Sequence, residues 1–150
     1  MVDYKIATAD DIELLMSSRV EMLRVVNRLP EDSVFDDVLI DESRRYFLEG
    51  DQTTVLALDA GSVIGCATIC YINMMPTYSH PTGRRAHLMN VYTAAEYRRQ
   101  GIARHMMEMI LEDARKKGAT EISLDATESG RPLYESIGFA DSEECMVMVL

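Results

Sequence analysis

Asn90-Val91-Tyr92-Thr93-Ala94-Ala95-Glu96-Tyr97-Arg98-Arg99-Gln100-Gly101-Ile102-Ala103-Arg104 runs from an apolar strand through a basic, glycine-containing turn directly into a helix. At a helix start the first backbone N–H groups have no intrahelical acceptor, and the helix dipole adds to them, so the place suits an anion. Gly101 lets the chain turn closely around a phosphate, and Ala103 keeps the approach small. Arg98, Arg99 and Arg104 put positive charge there in a chain whose net charge is -10. The same letters also fit a plain helix start with solubilising arginines. A glycine and an alanine do not separate the two by themselves.

Working outward, Ala86 to Thr93 reads as a central strand. Gly101 to Lys117 reads as a helix with Ile102, Met106, Met107, Ile110, Leu111 and Ala114 at helical spacing and a Glu112–Lys116 pair on its wetter side. Glu121 to Ala126 is a further strand, Arg131 to Ile137 a short helix closed by Gly138, and Cys145 to Leu150 a final strand. Toward the N-terminus, a first strand closes at Lys5-Ile6-Ala7. Thr8 to Asp11 offers caps for a helix reaching about Val20. Residues 21–30 are ambiguous. Pro30 stands near the start of a second helix, with Val34, Phe35, Val38, Leu39, Tyr46 and Phe47 on its apolar side. Thr53–Leu58 and Val63–Ile72 form a hairpin around Asp59-Ala60-Gly61-Ser62. Asn73 to Arg84, with two prolines and a glycine, reads as a long loop of the kind that lines a binding site. The result is one α/β domain over residues 1–150 with a mixed sheet.

Composition narrows the function classes. The chain has 150 residues and is 47% hydrophobic, enough for a sizeable core. It has no apolar run long enough to span a membrane, and Met1-Val2-Asp3-Tyr4-Lys5 does not begin a signal peptide, so a cytoplasmic location is expected. The net negative charge argues against nonspecific nucleic-acid binding. Glu31, Asp32, Asp36, Asp37, Asp41, Glu42 and Glu49 form an acidic cluster that fits either a cationic substrate or a solvated helix face. Cys66, Cys70 and Cys145 are too few for a disulfide framework. They read as buried thiols in a reducing compartment, with no histidine near in sequence to activate one. There is no dinucleotide fingerprint and no P-loop, and His80, His87 and His105 lack zinc spacing, so no metal is expected.

A second segment, Leu133-Tyr134-Glu135-Ser136-Ile137-Gly138-Phe139, lies about thirty residues beyond the first. Arg98 to Ala103 matches Q/R-x-x-G-x-G/A, and Tyr134 to Phe139 matches Y-x-x-x-G-F. In order and spacing the pair resembles the GNAT acetyltransferase superfamily, and the likeness extends from the first strand to the last. The resemblance implies a mixed central sheet with helices on both faces and splayed central strands forming the acyl-CoA cleft. It implies transfer of an acetyl group from acetyl-CoA to a primary amine by direct attack in a ternary complex.

Carried over residue by residue, Arg98, Arg99, Gly101, Ile102, Ala103 and Arg104 would hold the pyrophosphate. Val91 and Thr93 would offer main-chain groups to the pantetheine arm, and Thr127 and Arg131 would lie along the cofactor. Tyr134 would donate a proton to the leaving thiolate. Eleven residues before Arg98, where some relatives carry a glutamate base, stands His87, a residue type that exchanges protons near neutrality. Asn90 is an alternative that could orient water or substrate. Where many relatives have asparagine and alanine before the tyrosine, this chain has Thr127 and Gly130.

The acceptor would be set by residues 19–50 and 73–84. The acidic second helix suits a polyamine, aminoglycoside or lysine side chain, and Met74, Met75 and Tyr78 suit an apolar wall. A small-molecule amine is expected ahead of a protein lysine or N-terminus. A non-catalytic acyl-CoA sensor is the other alternative, and family habit suggests a homodimer.

Overall fold

The computed structural model describes residues 1–150. Five strands, β1 (Val2–Ile6), β2 (Gln52–Asp59), β3 (Ser62–Asn73), β4 (Arg84–Thr93) and β5 (Ile122–Leu124), form one sheet in sequential order. The first three joins are antiparallel, and β5 lies parallel to β4. A parallel neighbour needs a crossover. Helix α3 (Ile102–Lys116) supplies it, and α4 (Arg131–Ile137) follows β5. Helices α1 (Ile12–Val26) and α2 (Asp37–Glu49) join β1 to β2.

The alternation of strand residues sorts the helices onto opposite faces. Val55, Ala57, Ile69, Ala86 and Leu88 pack against Ile102, Met106, Met107 and Ile110 of α3. Leu56 and Cys66, of opposite parity, pack against Leu15 of α1. Met106 and Met107 are fully buried. Replacing Met106 by alanine is expected to lower unfolding stability by about 2–5 kcal/mol in urea titration, whereas Glu108→Ala on the wet side changes it by less than about 0.5 kcal/mol.

Several boundaries differ from those read in the sequence. Helix α1 continues through the ambiguous region to Val26. Helix α2 starts at Asp37, because the Asp36 carboxylate accepts the Val38 N–H at 2.8 Å, a side-chain cap that outweighs the Pro30 signal. Val34 consequently stands in solvent. Strand β5 stops at Leu124, short of Ala126.

The final strand is absent: Cys145 to Leu150 pairs with nothing in the chain and is exposed throughout. The thiols differ too, with Cys66 buried, Cys70 half-buried and Cys145 exposed. In the 74–83 connection Met75 and Tyr78 point into solvent, and none of its residues lines the cleft beside α1 and α2.

Candidate active site

The site begins at an irregularity in β4. Cys66 pairs with Tyr92 but Thr68 pairs with Met89, so β4 carries one extra residue, Asn90 and Val91 together lying opposite Ala67. Asn90 takes the left-handed conformation, φ 59°, that asparagine tolerates better than most residues. The bulge resets side-chain parity. Met89 and Asn90, neighbours in sequence, both line a cleft on the α1–α2 face, while Val91 packs toward the α3 core. On the other side, β5 ends opposite Leu88. From Met89 to Thr93 the β4 main chain therefore has no strand beside it on that edge. Val91 and Thr93, the residues expected to meet a pantetheine arm, lie on this open stretch.

The turn after β4 builds an anion cradle. Arg99 and Gly101 both adopt positive φ, 61° and 81°, and Gly101 is the residue before α3. Six consecutive N–H groups, Arg99 through Arg104, find no acceptor in the chain, and the first intrahelical bond is donated by His105 to Gly101 at 3.0 Å. No acidic residue lies in the first turn of α3. Arg98, Arg99 and Arg104 have no carboxylate partner. Arg98 donates to the Thr93 carbonyl at 3.1 Å and Arg104 to Ser136 Oγ at 2.7 Å, which fixes both side chains around the turn. Unpaired amides and cations around a loop that turns through αL residues suit a diphosphate.

Tyr134 approaches from α4. Its ring meets Phe139 edge-on, with centroids 6.0 Å apart, and packs on the rim of the core. Its hydroxyl bonds to no group of the chain, and burial raises its pKa above the ordinary tyrosine value. Gly130 makes this placement possible: a Cβ there would come within 2.9 Å of the ring. The departure from alanine thus admits a closer approach. Thr127 Oγ1 accepts the Gly130 N–H at 3.1 Å and so closes the loop under Tyr134. Arg131 is held in ion pairs with Asp141, at 2.6 Å, and Glu135, at 3.6 Å.

The cleft between α1, α2 and the sheet holds about 650 Å³ and is floored by a polar chain. Arg19 donates to Asn90 Oδ1 at 3.2 Å, and Asn90 Nδ2 donates to Thr68 Oγ1 at 3.1 Å. Thr68 meets Thr54 at 2.7 Å, and Thr54 donates to Gln52. Because Thr54 donates to Gln52, Thr68 must be the donor to Thr54, so both threonine hydroxyls of this relay are satisfied.

Arg19 itself has no carboxylate partner, and burial pulls its pKa below the ordinary value. The sequence reading missed Arg19. The available signal was a charged residue on the stripe that carries Leu15, Met16 and Met22. Of the acidic cluster only Glu42 and Glu49 line the cleft; Glu31, Asp32, Asp36, Asp37 and Asp41 do not.

His87 lies on β4 as well, in a row Cys70–His87–Ser123 across the sheet. The pairing with Cys70, invisible in linear sequence, does not activate that thiol, since burial raises its pKa. His87 Nδ1 lies 2.7 Å from Ser123 Oγ, and Nε2 lies 3.6 Å from Asp125.

A profile of the acetyltransferase (GNAT) family matches residues 19–139. A Trypanosoma brucei brucei glucosamine 6-phosphate N-acetyltransferase is 26% identical over 147 residues, covering 97% of this chain and 95% of its own. A Clostridium acetobutylicum acetyltransferase solved with acetyl-CoA superposes with TM-score 0.87 at 29% identity, covering 99% of this chain and 96% of its own. A GCN5-related N-acetyltransferase from Ralstonia eutropha JMP134 shares the fold, with TM-score 0.79 at 23% identity over 99% of each chain. Matched to the family's profile over most of its length and to these relatives along nearly all of it, this chain belongs to the GNAT family and is an acetyl-CoA-dependent N-acetyltransferase.

Proposed function

We propose that the enzyme acetylates the primary amine of a small molecule that also carries an acidic group, bound in the α1–α2 cleft. The observation that carries this is Arg19, a half-buried guanidinium facing the cleft without a carboxylate. A cation held out of water is most stable beside an anion, and here the ligand would bring it. The trypanosomal relative is named for an amine that also bears a phosphate, which supports the same class. Glu49, which lines the cleft and has no ion-pair partner, suits the ammonium end.

Acetyl-CoA supplies a thioester carbonyl. The Arg99–Arg104 amides and the flanking arginines hold its phosphates, and the open edge of β4 aligns its arm. The amine attacks once neutral, and Tyr134 gives a proton to the departing sulfur. His87 takes the amine proton, directly or through water. The ring has a partner at each nitrogen, Ser123 Oγ at Nδ1 and the Asp125 carboxylate at Nε2, so it is held in place between β4 and the end of β5.

Thiol release should be followed with amino-sugar phosphates and amino acids set against polyamines, aminoglycosides and lysine peptides. Turnover is expected with the acidic amines. Arg19→Met should raise their KM about tenfold with acetyl-CoA binding unchanged, since a charged hydrogen bond contributes about 1.5–3 kcal/mol. A preference for polyamines or peptides that ignores Arg19 would overturn the acceptor class. Acetyl-CoA binding with no turnover on any amine would make the chain a sensor.

A further inference from the structure

The polar chain under the α1–α2 cleft has a direction, and it is set from α2. The Phe47 carbonyl can only accept, so the Gln52 amide gives it an Nε2 proton at 3.1 Å and turns Oε1 toward Thr54. Thr54 then donates to Gln52 at 2.7 Å, and Thr68 donates to Thr54 at 2.7 Å. Thr68 Oγ1 is left as an acceptor, so Asn90 meets it with Nδ2, at 3.1 Å. One orientation of the Asn90 amide remains, with Oδ1 facing Arg19 at 3.2 Å.

Thr54 and Thr68 are cross-strand partners on β2 and β3, whereas the β4 residue paired with Thr68 is Met89. The bulge carries Asn90 onto their face, and all three side chains are buried. The residue type matters as much as its orientation. Asparagine gives Arg19 an acceptor that carries no negative charge, so the guanidinium is fixed in the cleft with its charge intact. Aspartate would fail twice. It has no N–H for Thr68, and its carboxylate would take the place of a ligand's anion beside Arg19.

We infer that Asn90 is a specificity-determining residue, which holds Arg19 un-neutralised for the acidic group of the acceptor and so rests on the acceptor class proposed above. Gln52, Thr54 and Thr68 are positioning residues that fix its amide. They act through Asn90 and touch neither substrate nor cofactor.

The test measures kcat/KM on matched amines, an amino-sugar phosphate with its parent amino sugar and an amino acid with its amide, and takes the ratio within each pair. Wild type should favour the acidic member of a pair about tenfold or more, the size of one charged hydrogen bond. Asn90→Asp should erase most of that preference. Thr68→Val keeps the shape of threonine without its hydroxyl and should cut the preference about fivefold, whereas Thr68→Ser restores it. In an Arg19→Met background Thr68→Val should change the ratio by less than about twofold, because the relay acts through Arg19. Circular dichroism reports whether each variant folds, and if Asn90→Asp does not, the threonine series decides. A relay that is only structural would lower the rates on both members of a pair alike. An unchanged ratio in Thr68→Val, or in a folded Asn90→Asp, with acidic amines still preferred through Arg19, would overturn the role of Asn90 alone. No preference for acidic amines in wild type would overturn the acceptor class, and the role of Asn90 with it.

Discussion

Replacing Tyr134 by phenylalanine should lower kcat about a hundredfold or more and leave acetyl-CoA affinity within a few-fold of wild type. The expected size follows from removing a positioned proton donor, which contributes about 10²–10⁴ in rate. Phenylalanine keeps the edge-on contact with Phe139 and the fit against Gly130, so packing is preserved and only the hydroxyl is lost. That hydroxyl has no partner in the chain, which leaves it free for the sulfur.

The pH dependence carries a sign. A donor must hold its proton, and burial raises the pKa of Tyr134 above its ordinary value near 10. The acid therefore stays loaded at higher pH than a surface tyrosine would. Rates should rise with pH as the acceptor amine loses its proton, with no alkaline decline from Tyr134 until pH passes the ordinary tyrosine value. A Tyr134→Phe enzyme with kcat within threefold of wild type would reduce the residue to packing and cofactor positioning.

Much of the frame was legible because it rests on local rules. The strand–turn–helix from Ala86 to Lys117 shows its periods directly, and α3 buries the residues its spacing selects, apart from the half-exposed Leu111. The cradle was legible too, since glycine and small residues after a strand dictate where free amides go. What escaped depends on tertiary pairing. The bulge that brings Asn90 onto the same face as Met89 comes from the register between β3 and β4, which no single strand displays. Arg19 acquires meaning only when Asn90 stands opposite it, 71 residues on. The start of helix α2 is set by the Asp36 cap and not by Pro30, two start signals that compete in the sequence. The tail reads as a strand because its residues favour one, but the chain that carries it provides no neighbour.

Electrostatics separates the two ends of the site. The chain is acidic overall, yet three arginines without carboxylate partners gather at one turn and one lies in the α1–α2 cleft. Most other cations are neutralised by ion pairs such as Lys5–Asp11, Arg24–Glu21 and Arg84–Asp51. Anionic ligands are therefore drawn to these points against a repelling background, which makes binding specific and salt-sensitive.

Gly101→Trp is expected to abolish measurable acetyl-CoA binding in calorimetric titration, a loss of at least a hundredfold, while the chain remains folded. A Cβ at this position meets nothing within 4 Å, so the indole would enter the space above the free amides rather than the core. The backbone cost is separate. With φ at 81°, any side chain is strained by about 1–2 kcal/mol. Gly101→Ala bears the same strain without the bulk and is the proper comparison. Alanine should lower the melting temperature about as much as tryptophan does but retain binding within about tenfold. Equal loss in both variants would mean that the conformation of the turn, not the space above it, governs binding. Wild-type affinity in the tryptophan variant would remove the phosphates from this turn, and with them the placement of the thioester beside Tyr134.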